Sequence, residues 1–329
     1  MRLRRVDCSA PGLRRKRAGR GFVYVDQNGA RVTDPATLQR IEALVIPPAW
    51  TDVWICPLPH GHIQATGVDA AGRRQYRYHD VWRRKRDREK FDHMLDFGRA
   101  LPALRERIAR DLADEDLTRE RVLACATRLL DLGFFRIGTE GYAEQNQTYG
   151  LATIRKDHVS VSGDVVVFDY VAKSGKQRLQ SIADPAVLDV VKALKRRRSG
   201  GPELLAYRRD GRWCDVKSAD INAYIKEVTG GEFTAKDFRT WAATVLAAVA
   251  LAVSREAKSP TARKRAISRT FQEVSHYLGN TPAVCRSSYV DPRVVDRYLA
   301  GVTVTDLDGD VEAAVLDLLE EAPPLREAV

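Results

Sequence analysis

Residues 75–113, QYRYHDVWRRKRDREKFDHMLDFGRALPALRERIARDLA, change character twice. The first five alternate polar or basic with aromatic side chains, the two-residue period of a strand with two unlike faces. Residues 82–90, WRRKRDREK, are almost wholly charged and read as a connector. From Phe91 onward apolar residues recur at three- and four-residue spacing, the mark of an amphipathic helix. A boundary between a strand-rich part and a helical part is therefore expected here.

Reading outward from that boundary divides the chain into three parts. Residues 1–20, with RLRR and GLRRKRAGRG, read as a flexible basic arm. Residues 21–88 carry short strand-like runs (FVYV, DVWIC, RQYRYH) broken by turn signals at Asn28-Gly29 and at Ala70-Ala71-Gly72. Residues 89–329 are mainly helical. Helical periodicity fills 91–113 and the TRERVLACATRLLDLG stretch, then returns at 217–228, 235–254, 261–278 and 310–320. Two hairpins interrupt it, one turning at Ser162-Gly163-Asp164 and one at Asp210-Gly211. The expected fold class is α+β: a small β-rich N-terminal domain and a larger helical domain with a small β insert.

A chain of 329 residues, 44% of them hydrophobic, has material for more than one core. Its formal charge of +10 is unevenly spread. Residues 1–90 hold 19 Lys and Arg against 9 Asp and Glu, leaving 35 of each sign for the rest. Such asymmetry points to a polyanionic partner, nucleic acid foremost, with a solvated charged surface as the alternative. After Tyr289 the sign reverses, with 10 acidic residues against 3 basic ones, so this end is expected to face away from the polyanion. The opening MRLRRVD has no apolar stretch behind it and does not read as a signal peptide. The most apolar run, Trp241 to Val253, is too short to span a bilayer. Five scattered cysteines without a CxxC pair suit a reduced, intracellular setting and give no zinc spacing. His60-Gly61-His62 reads as a turn, and neither HExxH nor a Walker lysine loop occurs. A soluble cytoplasmic protein without metal or cofactor is expected.

Four dispersed pieces could do chemistry on a polyanion. Arg136 sits in the apolar FFRIG turn just after a helix, where a buried guanidinium must be paired. Lys173 stands at a hairpin tip in YVAKSGK. Lys236 and Arg239, three apart in KDFRTW, share a face near a helix N-terminus, an end that favours phosphate. Asn280 and Tyr289 close the stretch LGNTPAVCRSSY. Taken singly, each has an ordinary reading: a salt bridge, a solvated lysine, a packed tyrosine ring.

Their order and types together resemble the active site of type IB DNA topoisomerases, closest to the small poxvirus-like enzymes found in bacteria. FFRIGTEGYAEQNQTYGLATIRKDHV, FDYVAKSGK, KDFRTW, LGNTPAVCRSSYVDP and the N-terminal IPPAWTDVWICPLPHGHIQATGVDAAGRRQYRYH each resemble a family block, in the family's order, over about residues 20–300. The resemblance implies that Tyr289 attacks a backbone phosphodiester and forms a 3′-phosphotyrosyl link. It implies that Arg136 and Arg239 hold the non-bridging oxygens, that Asn280 donates to one of them, and that Lys173 protonates the leaving 5′ oxygen. Lys236 is an assisting candidate. Poxviral enzymes carry histidine where this chain has Asn280; asparagine still donates a hydrogen bond but carries no charge, so an altered pH dependence is expected. For DNA contact the resemblance points to Arg74, Gln75, Tyr76 and Tyr78, and, near the cleaved bond, to Tyr142, Gln145 and Asn146. The β-rich part then becomes a DNA-binding domain and the helical part a catalytic domain. The implied partner is supercoiled duplex DNA, clamped by a monomer. The rival is a tyrosine site-specific recombinase. That class typically shows His-x-x-Arg and Leu-Gly-His where this chain has Lys236-x-x-Arg239 and Leu278-Gly279-Asn280, and brings a helical rather than a β-rich N-terminal domain.

Overall fold

The computed structural model describes residues 2–257 and 259–321, apart from the side chain of Tyr142. The chain divides into two compact units, Met1–Lys90 and Phe91–Val329, and the architecture is α+β.

In the first unit, β1 (Leu13–Ala18), β2 (Gly21–Val25), β3 (Thr51–Ile55), β4 (Ile63–Val68) and β5 (Arg74–Tyr78) form one antiparallel sheet in the order β2-β1-β3-β4-β5. The turn at Ala70-Ala71-Gly72 joins β4 to β5, with the Asp69 carboxylate accepting from the Ala71 and Arg73 N–H groups. Helix α1 (Pro35–Ala43), capped by Asp34, buries Ile41 in a small core with Val53, Ile55 and Ala65. His62 is held inside the unit: its Nδ1 accepts from the Val6 N–H, and its ring meets Trp82 edge-on.

Two expectations need correction. Residues 13–18, expected within a flexible arm, form β1 and pair with both β2 and β3. The run LRRKRA has poor intrinsic strand propensity, and tertiary partners override it. Arg15 supplies several of these, donating to the carbonyls of Ile46, Pro47 and Trp50 while its guanidinium lies 4.2 Å from the centre of the Phe22 ring. Residues 82–90, expected as a connector, lie within helix α2 (Asp80–Leu112). Their charges are spaced to help a helix: Arg83–Asp80, Lys85–Glu89, Arg86–Glu89 and Lys90–Asp87 are ion pairs three or four residues apart.

The second unit contains α3 (Arg119–Gly133), α4 (Glu140–Asn146), α5 (Pro185–Arg196), α6 (Ser218–Thr229), α7 (Ala235–Val253), α8 (Pro260–Leu278), α9 (Pro282–Ser288), α10 (Pro292–Leu299) and α11 (Val311–Glu320). Strands β6 (Val159–Ser162), β7 (Val165–Ala172) and β8 (Lys176–Ile182) make a three-stranded antiparallel sheet; β9 (Ala206–Arg209) and β10 (Arg212–Asp215) make a separate hairpin. The apolar sequence of α7 is explained by its place: it packs against α3, α6, α8, α10 and α11. Both Trp241 and the cationic Arg239 on it are buried.

Candidate active site

The site forms around the C-terminal end of α8. A helix leaves its last carbonyls without intrahelical partners and carries partial negative charge there. Gly279 ends α8 in the left-handed conformation, φ 65°, and arginines from three other elements take the freed carbonyls. Arg239 Nη2 donates to the Leu278 carbonyl at 2.8 Å. Arg178 Nη2 donates to that of Tyr277 at 2.8 Å and Nη1 to that of His276 at 3.3 Å. Arg136 Nη2 reaches the Gly279 carbonyl at 3.5 Å and donates to Asn280 Oδ1. The Asn280 N–H donates to the Ser275 carbonyl at 3.0 Å. The helix end thus gathers cations that would otherwise repel one another.

Each side chain is delivered by local geometry. Arg136 follows α3, which ends on Phe134 in the left-handed region, φ 54°. The Phe134 carbonyl accepts from Arg239. The segment after Arg136 is pinned by hydrogen bonds from Leu151 N–H to the Arg136 carbonyl and from Ala152 N–H to that of Ile137, both 2.8 Å. That pairing brings two backbones into contact: a Cβ on Gly150 would stand 2.5 Å from the Gly138 nitrogen, and Gly138 has φ 73°. Both positions therefore require glycine. Tyr289 caps the short helix α9, its N–H bonded to the Cys285 carbonyl at 3.0 Å. Its own carbonyl accepts from Thr244 Oγ1 at 3.3 Å, and the same hydroxyl accepts from the Asp291 N–H. Since Thr244 and Arg239 share α7, one helix sets the height of both the tyrosine and the arginine. Lys173 opens the turn Lys173–Gly175 between β7 and β8 and is exposed.

Tyr289, Arg136, Lys173, Lys236 and Arg239 line one open cleft of about 300 Å³, with Tyr149 and Thr148 on its wall. The start of α7 is less open to phosphate than its sequence promises. Asp237 reaches back to the Thr234 N–H and Asn222 takes the Ala235 N–H, closing two of its donors.

The cleft's electrostatics favour an anion. Arg239 is 4% exposed, and its guanidinium lies 5.4 Å from the centre of the half-buried Tyr289 ring. Burial, and then repulsion from Arg136, pull the Arg239 pKa down to about 10. For Tyr289, burial opposes ionisation, but the Arg239 and Arg136 charges, with hydrogen bonding to both, outweigh it and hold the phenol below its ordinary range. Two buried donors at this centre, Arg239 Nε and Asn280 Nδ2, have no hydrogen-bond partner among the described residues. A lowered folded-state pKa means that phenolate appears at a lower pH than for free tyrosine. An absorbance titration of the DNA-free protein minus its Tyr289→Phe variant is accordingly expected to show one phenol ionising below about 10. A missing phenol that ionised at or above that value would contradict the arrangement.

The remaining candidates lie apart from this cleft in the sequence. On β5, Arg74, Tyr76 and Tyr78 share one exposed face, the two rings stacked 6.0 Å apart. Gln75 points to the other face, where its amide donates to Asp69 at 2.9 Å. Gln145 and Asn146 are exposed on α4, and the side chain of Tyr142 lies outside the described residues. Arg178 and Thr244 were not singled out from the sequence. Their partners here are mainly backbone atoms of distant segments, which leave no motif. Among the described residues, no group of three or more His, Cys, Asp or Glu side chains is placed to hold a metal ion.

Comparison with known proteins places this geometry in a family context. A family model described as eukaryotic DNA topoisomerase I, catalytic core, matches residues 79–302, and one described as bacterial DNA topoisomerase IB, N-terminal domain, matches residues 21–69. The chain is 33% identical over 295 residues to the DNA topoisomerase 1B of Acanthamoeba polyphaga mimivirus, covering 87% of both chains. It is 20% identical over 231 residues, 70% of each chain, to the DNA topoisomerase 1B of vaccinia virus (strain Copenhagen). With the DNA topoisomerase 1 of Daucus carota it shares 26% identity over 138 residues, 41% of this chain and 16% of that one.

Proposed function

The chain belongs to the type IB DNA topoisomerase family, and on that footing we propose that it relaxes supercoiled duplex DNA through a covalent 3′-phosphotyrosyl intermediate at Tyr289. The observation that carries this reading is the phenol held against two guanidiniums that make it more acidic. Such a phenol is both a better nucleophile at neutral pH and a competent leaving group.

In the forward step the Tyr289 oxygen forms a bond to phosphorus, the bond to the 5′ oxygen breaks, and the phenolic proton passes to solvent or to Lys236. Lys173 Nζ gives a proton to the departing 5′ oxygen. Arg136 and Arg239 face the non-bridging oxygens, where charge builds in the transition state, and the free Arg239 Nε and Asn280 Nδ2 are donors in reserve for them. After strand rotation the 5′ hydroxyl attacks the phosphotyrosine and the steps reverse. One phosphodiester is exchanged for another, so no nucleotide is consumed, and the arginines supply the charge neutralisation that a metal could otherwise provide. On the first unit, Tyr76 and Tyr78 with Arg74 offer the duplex an aromatic and cationic face. Gln75 gives one amide hydrogen to Asp69 and keeps its second N–H and its Oε1 for a base. The protein would act as a monomer on DNA in the cytoplasm; no helix among the described residues is long and apolar enough to cross a membrane.

The test is relaxation of positively and negatively supercoiled plasmid in EDTA without ATP, with detergent trapping of a protein–DNA adduct. Relaxation of both signs, and an adduct on the 3′ side of the break, are expected. An absolute need for magnesium or ATP, or a 5′ linkage, would overturn the proposal. Joining of the cut strand to a different duplex at a defined site would instead favour recombination.

A further inference from the structure

The end of α8 holds one arginine that the chemistry above does not use. Arg178 stands on β8, directly across from Tyr170 on β7, and donates to the carbonyls of His276 and Tyr277. Those carbonyls lie in the last turn of α8, just ahead of Asn280. On its own strand, Arg178 lies two residues after β8 begins at Lys176, and the turn bearing Lys173 leads straight into that strand. One guanidinium therefore ties the lysine's hairpin to the helix end that carries Asn280 and receives Arg239. The tie is made within the paired strand, close to the turn that carries the lysine. Lys173 is exposed, and the next two residues, Ser174 and Gly175, both have positive φ, 67° and 69°. The far side of the contact is fitted as well: a Cβ on Gly279 would stand 3.2 Å from Arg178 Nη1.

We propose that Arg178 is a positioning residue for strand cleavage, docking the β7–β8 hairpin on the last turn of α8 and so setting where Lys173 stands relative to Tyr289. This rests on the reading of Lys173 as the general acid. Proton transfer needs a donor and acceptor within hydrogen-bond reach, so a hairpin released from α8 loses the step that Lys173 serves while the phosphate-binding arginines stay in place. The competing role, a direct contact to a DNA phosphate, makes a different prediction.

The experiment is single-turnover cleavage of two duplexes, one with the normal 5′ oxygen at the cut and one with a bridging 5′ sulfur. A thiolate, with a pKa of about 8.5, departs without being protonated. Arg178→Ala is expected to slow cleavage of the oxygen duplex roughly 10- to 100-fold. The sulfur duplex should return the variant to near the wild-type rate, with noncovalent DNA affinity unchanged. Arg178→Lys should keep part of the rate, and Gly279→Ala, which crowds the same contact from the helix side, should show a smaller defect also relieved by sulfur. Thermal melting of each variant accompanies the rates, and sulfur rescue is itself incompatible with a misfolded enzyme. If the Arg178→Ala defect persists on sulfur while Lys173→Ala is rescued, the positioning role is wrong and the general-acid reading stands. A fall in DNA affinity that accounts for the lost rate would also overturn it, in favour of a phosphate contact. If sulfur fails to rescue Lys173→Ala, the general-acid reading and this inference fall together.

Discussion

Tyr289→Phe is expected to abolish plasmid relaxation and adduct formation, a loss of at least about four orders of magnitude, comparable to removing the nucleophile of other covalent enzymes. DNA binding and thermal stability should remain. The ring stays half-buried and keeps its contact with the Arg239 guanidinium. The backbone bonds that seat residue 289, to Cys285 and from Thr244, involve no phenol oxygen. Only the hydroxyl leaves, and with it the atom proposed to attack phosphorus. Relaxation assays, detergent trapping and a melting curve on the same preparation check all three expectations. Measurable turnover by the phenylalanine protein would remove Tyr289 as nucleophile.

Arg239 is expected to have the second largest effect, and a mixed one. Arg239→Ala should slow cleavage by about 10²- to 10³-fold, the range for deleting one donor to a transition-state oxyanion. It should also destabilise the protein, because the buried Leu278 carbonyl and the part-buried Phe134 carbonyl lose a donor, at about 1–3 kcal/mol for a buried group left unsatisfied and less for the part-buried one. The Tyr289 phenol loses its strongest electrostatic support, and its pKa rises toward the ordinary value. Arg239→Lys keeps the charge but not the planar fork that serves two carbonyls and, as proposed, a phosphate together, so it should recover little of the rate. Single-turnover cleavage with thermal denaturation separates the two losses. Full activity in the lysine variant would reduce Arg239 to a point charge.

The parts of the fold written in periodicity were readable from the sequence. The apolar run of α7 was one, and the hairpins turning at Ser162-Gly163-Asp164 and Asp210-Gly211 were others. What escaped was structure made by long-range partners. LRRKRA at 13–18 looks like an arm because its strand character comes from its neighbours, with Arg15 satisfied by carbonyls more than thirty residues away. WRRKRDREK looks like a linker if charge is counted and like a helix if its spacing is. At the site, Arg136, Lys173, Arg239, Asn280 and Tyr289 could be named together as candidates through family resemblance, because the family's blocks recur as motifs. Their supports could not. Arg178 and Thr244 act largely on backbone atoms of remote segments, and almost any residue can supply a carbonyl. Gln75 shows another limit: its pattern suggests a base reader, and the sequence does not reveal that its amide is bonded to Asp69.

The gathering of arginines on one helix end also bears on how the centre can be switched. Residues 136, 178 and 239 come from segments far apart in the chain, yet all are indexed to the last turn of α8 and its cap. An α-helix advances about 1.5 Å per residue, so a slide of α8 by a single step would move every one of these bonds out of register together. A movement of that one helix end would therefore reset the cleft as a whole, whereas a change at one arginine resets only its own contact.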